Sequence, residues 1–102
     1  MQCEVHENPE DPVGTTPYLL DVQADLLSDL ATRVVVPLVR RDAFGRGASR
    51  LHPTFAVKGV EVVMATHLLA AVRKRVLGAR VASLSDQRHI IIAAIDVLWS
   101  GV

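Results

Sequence analysis

Residues 86–99 keep a helical period over several turns, and their apolar character limits how the rest of the chain can be arranged around them. Ile91, Ile95 and Leu98 fall at helical spacing, and Ile92 and Trp99 widen the same stripe. Ile90, Ala94 and Val97 lie on the back, where only His89, Asp96 and Ser100 are polar. A helix this apolar wants cover on more than one side. Its own sheet supplies one cover, and a second protomer is the natural source of the other. Ser85 reads as the N-cap, with Asp86 well placed against the partial positive charge of the first turn. Gly101 suits a chain that leaves the helix with positive φ.

The remainder has the period of strands. Residues 1–6 alternate apolar and polar side chains, as a half-buried strand does. The turn formers of residues 8–14 predict an exposed loop. Residues 18–22 predict a second strand, and residues 32–39 a third, built on Val34-Val35-Val36. Pro37 cannot donate a ladder hydrogen bond, so an edge or bulge is expected there. Residues 24–31, with Leu26-Leu27 between Asp25 and Asp29, predict a short helical turn or a wide hairpin loop. Residues 40–49 are basic, carry Gly45 and Gly47, and read as a loop. Lys58-Gly59 is a good hairpin turn between strands at 54–58 and 60–66. Residues 71–75 and 79–82 add one or two short strands, for six or seven in all. Short strands followed by one terminal helix predict a small antiparallel sheet or barrel packed on that helix.

Composition narrows the function. The 102 residues suffice for one domain, residues 1–102, with no linker or repeat dividing it. Eleven basic and eleven acidic residues balance, which removes the electrostatic argument for nucleic acid or an anionic membrane as main partner. The single cysteine, Cys3, forbids an intrachain disulfide and fits a reducing compartment. The acidic opening, with Glu4, Glu7, Glu10 and Asp11, is unlike a secretory signal, and the run at 90–95 is too short to cross a bilayer. A soluble, cytoplasmic protein is expected.

No catalytic, cofactor or metal motif stands out. Cys3 and His6 are too few for a zinc site and read as a buried thiol and an exposed imidazole. His6, His52, His67 and His89 are scattered, without the neighbours a general base needs. Arg73-Lys74-Arg75 and the group Arg40, Arg41, Arg46 and Arg50 lack interleaved aromatics and read as solvated charge. Asp21 and Asp25 read as turn formers. Two features are less ordinary. Leu26-Leu27 is either an exposed apolar patch for a protein partner or a plug over the barrel end. Trp99, in the last helical turn, is either an interface anchor or a core plug, and pattern alone favours the plug.

The ordered series Tyr18-Leu19-Leu20-Asp21-Val22-Gln23-Ala24-Asp25-Leu26-Leu27 and Arg33-Val34-Val35-Val36-Pro37-Leu38 resembles the CcdB toxin family. Leu51-His52-Pro53, Leu84-Ser85, Ala93-Ala94-Ile95-Asp96 and Gly101-Val102 extend the likeness over nearly the whole chain. The resemblance implies an SH3-like barrel, an added small sheet, a C-terminal helix and a symmetric homodimer. It implies a toxin that is not an enzyme and needs no cofactor. Such a toxin binds the DNA gyrase A subunit, traps gyrase on cleaved DNA, meets DNA only indirectly, and is neutralised by a cognate CcdA-like antitoxin with which it represses its operon. By the same resemblance the gyrase-binding residues are Leu26, Leu27, Asp96, Trp99, Ser100, Gly101 and Val102. Three departures stand out: Asp96 replaces the Asn of plasmid-type members, Trp99-Ser100 stands where the family has Phe-Trp, and the long acidic loop Glu7–Thr16 replaces a shorter, more basic one. The alternatives are a MazF-like ribonuclease, which shares the barrel, and a degenerate toxin that only binds antitoxin.

Overall fold

A computed structural model describes residues 1–11 and 13–101. Among them the strands are β1 (Glu4–Glu7), β2 (Tyr18–Asp21), β3 (Thr32–Arg40), β4 (Thr54–Val57), β5 (Val60–Met64), β6 (Ala70–Arg73) and β7 (Arg80–Ser83). They form one curled antiparallel sheet, a half-barrel, in the order β4-β5-β3-β2-β1-β7, with β6 paired to β3 off that path. A short helix α1 (Arg41–Phe44) follows β3, and α2 (Arg88–Ser100) ends the chain. The mainly β architecture with one long C-terminal helix agrees with the patterning.

β3 organises the sheet. Its first half, Thr32 to Val35, pairs with β6, and its second half, Leu38 to Arg40, pairs with β5. Pro37 falls in the gap between these two partners, opposite Leu19 of β2 on the other side. The missing N–H is therefore tolerated in a central strand. The expected edge or bulge is replaced by a hand-over between neighbours. The β4–β5 hairpin closes through Lys58 (φ 50) and Gly59 (φ 80), the double left-handed geometry of a type I′ turn.

The core lies on the concave face. Val5, Leu20, Val36, Leu38, Phe55, Val57, Val62 and Met64 come from the strands, and Cys3, Leu84, Ile91 and Ala94 complete it. β4 shows the expected period, with Phe55 and Val57 buried and Thr54 and Ala56 exposed. β1 starts later than the alternation predicts, because Cys3 takes φ 70 and turns its thiol into the core.

The helix also starts later than expected. Residues Ser85–Gln87 form a tight 3₁₀ turn, and α2 begins only at Arg88. Ser85 caps nothing; its N–H donates to Ser83 Oγ at 3.3 Å. Buried Leu84 explains this: its N–H is held by the Cys3 carbonyl at 2.8 Å, so the chain must turn sharply onto the core. Ile91 and Ala94 of α2 are buried, and Ile90 and Ile95 pack beside them. The chain itself covers only this side, and Leu98 and Trp99 remain exposed.

Candidate functional site

The leucine pair sits on a 3₁₀ turn, Asp25–Leu27, in which no residue is buried. Leu26 is 93% exposed and Leu27 46%. The exposed-patch alternative is therefore the one realised, and the barrel-end plug is not. Leu30, 51% exposed and with its N–H donated to the Leu27 carbonyl at 3.2 Å, enlarges the patch, and no pattern in the sequence marks it.

Polar groups beneath the patch hold it rigid. Gln23 is buried; its amide donates to the Leu27 carbonyl at 2.8 Å and its carbonyl oxygen accepts the Val34 N–H at 2.9 Å. The Gln23 N–H in turn donates to Asp21 Oδ1 at 3.0 Å. Asp25 Oδ1 accepts the Gln2 N–H at 2.8 Å. The turn thus has its backbone satisfied from below while its leucines face outward. In solvent this is an unfavourable way to place two leucines, and it fits a surface made to be covered.

Asp21 is more than a turn former. It is buried, and Arg33 Nε donates to its Oδ2 at 2.9 Å. Arg33 Nη2 reaches the same oxygen at 2.7 Å, though at an angle too poor for a second hydrogen bond, so that contact is purely ionic. The signal lay in the sequence as an Asp and an Arg twelve positions apart on adjacent strands, but only the strand register makes them partners.

The second half of the expected site is the end of α2. Trp99 is 71% exposed, so the core-plug reading fails: the stripe that meets the core runs through Ile91 and Ala94 and has turned away from Trp99 by the last turn. Asp96 and Ser100 are exposed too, and the Ser100 hydroxyl donates back to the Asp96 carbonyl within the helix. Gly101 closes the helix in the left-handed conformation, φ 77, its N–H donating to the Val97 carbonyl at 3.0 Å. Val102 lies outside the described residues.

Among the described residues of one chain, no hydrogen bond joins the two halves directly. The leucine turn is tied through Gln2 to Arg88, whose Nε donates to Gln2 Oε1 at 2.8 Å at the first turn of α2. Trp99 lies about 16 Å farther along the helix axis, at 1.5 Å per residue. A surface cleft of about 480 Å³ is lined by Arg40, Arg41, Asp42, Gly59, Val60 and Glu61 and contains neither half. The candidate site is two exposed patches, the leucine turn and the end of α2 around Trp99, neither of which lines that cleft.

Burial raises the Cys3 pKa and keeps the thiol protonated. His6 is half-buried rather than exposed, its Nδ1 3.1 Å from the Gly78 carbonyl. Among the described residues no group of three or more His, Cys, Asp or Glu converges to hold a metal, and no helix is long and apolar enough to cross a membrane.

The family model for the CcdB protein matches residues 2–101. The chain belongs to the CcdB family. That membership implies a gyrase-directed toxin of a toxin–antitoxin system. A comparison with curated proteins found no match.

Proposed function

We propose that this CcdB-family chain binds the gyrase A subunit and traps the gyrase–DNA cleavage complex. Leu26, Leu27, Asp96, Trp99, Ser100, Gly101 and Val102 supply the contact surface. The observation that supports this reading is the exposure of Leu26 and Trp99, two large apolar side chains the fold excludes from its core. Such a site works by shape and apolar contact and carries no catalytic step. A symmetric homodimer brings two copies of the terminal segment together and covers the outer side of α2. A CcdA-like antitoxin neutralises the toxin, and the pair represses its operon in the cytoplasm, with DNA met only through gyrase or the antitoxin complex.

One observation favours the degenerate-toxin alternative. Ser100 is shorter than the family's Trp, and its hydroxyl is engaged within the helix. The ribonuclease alternative is less well supported, because Arg33, one cation it could draw on, is buried against Asp21.

The test is a gyrase supercoiling and DNA-cleavage assay with the native chain, Trp99→Ala, and a chain lacking residues 99–102. Cleavage trapped by the native dimer and lost in both variants is the expected result. A folded dimer that leaves gyrase unaffected overturns the proposal; RNA cleavage or antitoxin binding by that same protein then decides between the alternatives.

A further inference from the structure

His52 and His67 lie fifteen positions apart and carry no role in the site described above, yet their rings meet. His52 Nε2 is 2.8 Å from His67 Nδ1, and the ring centroids are 4.8 Å apart at 75°. Phe44, at the end of α1, stands edge-on to both, at 5.0 Å from His52 and 6.3 Å from His67. The Ala48 N–H donates to His52 Nδ1 at 2.9 Å, and the His52 N–H donates to the Ala48 carbonyl at 2.7 Å. Gly47 lies so close that a Cβ there would come within 3.0 Å of both His52 Nδ1 and the Phe44 ring.

These contacts fix the proton positions. A nitrogen that accepts the Ala48 N–H carries no proton, so the His52 proton is on Nε2 and is donated to His67 Nδ1. Both rings are therefore neutral. A proton added to His52 can go only to Nδ1, which breaks the bond to Ala48. A proton added to His67 Nδ1 must displace the His52 donor, and the reversed bond again requires the His52 proton on Nδ1. Charging either ring therefore breaks a link in the chain Ala48–His52–His67. Charged and titratable side chains near the pair come from α1, the β3–β4 loop and α2, whose His89 and Asp96 lie on the helix packed against the Thr66–Leu68 turn. Arg41 lines the same cleft as His52, Thr54 of β4 and Val63 of β5 bring no charge, and Arg46 and Arg50 lie on the same loop. Glu61 of β5 is nearest to Arg41, at 3.9 Å. Burial first, and His67 second, lower the His52 pKa. A metal bridging the rings is disfavoured, because the Ala48 N–H occupies the nitrogen that a ligating imidazole needs as its own donor.

We propose that the His52–His67 pair is an acid-released latch on the β3–β4 loop. Neutral rings clamp residues 44–52 against the Thr66–Leu68 turn, and protonation frees them. Otherwise the loop has little to hold it, since residues 45–50 are all exposed. The sign follows from linkage. A freed His52 titrates near the ordinary value of about 6.5, and the latched one titrates lower. The latch is fully closed above the ordinary value. Its advantage then falls with pH and is gone once pH passes the depressed value. This inference is independent of the gyrase reading.

The test is amide hydrogen exchange followed by NMR on the full chain from pH 7.5 to pH 5, as protection factors, with Leu38 of β3 as core reference and the imidazole shifts read in parallel. The expected result is an Ala48 amide protected at pH 7.5 that loses protection as pH falls below the ordinary histidine value, while Leu38 stays protected. In His52→Phe, Ala48 is unprotected at every pH. Three results overturn the latch: Ala48 protection unchanged after both rings have titrated, Ala48 unprotected at pH 7.5, or Ala48 and Leu38 losing protection together.

Discussion

Asp21 and Leu26 show how differently two residues five positions apart serve one surface. Asp21 is buried and holds Arg33 beneath the leucine turn. Removing its charge strands a buried guanidinium, so Asp21→Asn is expected to lower stability by about 3–5 kcal/mol. Urea unfolding checks this, and replacing both partners with apolar residues of similar volume should cost less than Asp21→Asn alone. Leu26 is 93% exposed and should contribute almost nothing to the fold. Leu26→Ala is expected to change stability by less than about 0.5 kcal/mol while weakening gyrase trapping. A large stability loss with binding intact would contradict the proposed role. Local sequence read Asp21 as a turn former and left Leu26 open between an exposed patch and a plug. Asp is common in turns and Leu in cores, and only burial in the fold decides both cases.

At the scale of the element, α2 divides into a buried and an exposed portion. Ile91 and Ala94 enter the core near its start, and Trp99 stands out from its end. Ile91→Ala is expected to cost about 2–5 kcal/mol, the range for an emptied aliphatic core site. Trp99→Ala should leave the isolated chain nearly as stable as before. Comparing the urea midpoints of the two variants tests this division directly. The helix was legible in sequence because its period is strong, and so was its closing Gly101, because a left-handed residue after a helix favours glycine. Its start was not. Ser85 has the residue type of a cap, but the backbone there is committed to anchoring Leu84, and the Cys3 carbonyl that holds it lies at the other end of the chain. The Lys58-Gly59 hairpin was legible for the opposite reason, since its geometry depends on those two residues alone.

At the scale of the whole molecule, the half-barrel buries one side of α2 and leaves an outer apolar side with Leu98 and Trp99 exposed. If a second copy covers that side, sedimentation at micromolar concentration gives a dimer, and Trp99 fluorescence shifts to the blue on association. A monomer with unchanged fluorescence would remove the support for a two-fold site. Such a dimer also bears on the gap within one chain between the leucine turn and Trp99, because symmetry adds a second copy of each patch to the surface.

Period, turn chemistry and residue type were enough for the strands, the terminal helix, the Lys58-Gly59 turn and the likeness to the CcdB family, since each depends on neighbours a few positions away or on an ordered series of residues. The tertiary structure alone decided that Trp99 faces outward, that Asp21 pairs with Arg33, that Pro37 sits between two partner strands, and that His52 meets His67. Each of these depends on strand register or on the angle at which a helix lies on the sheet. Those quantities are set by the core as a whole, which minimises exposed apolar area globally and leaves individual side chains wherever that arrangement puts them.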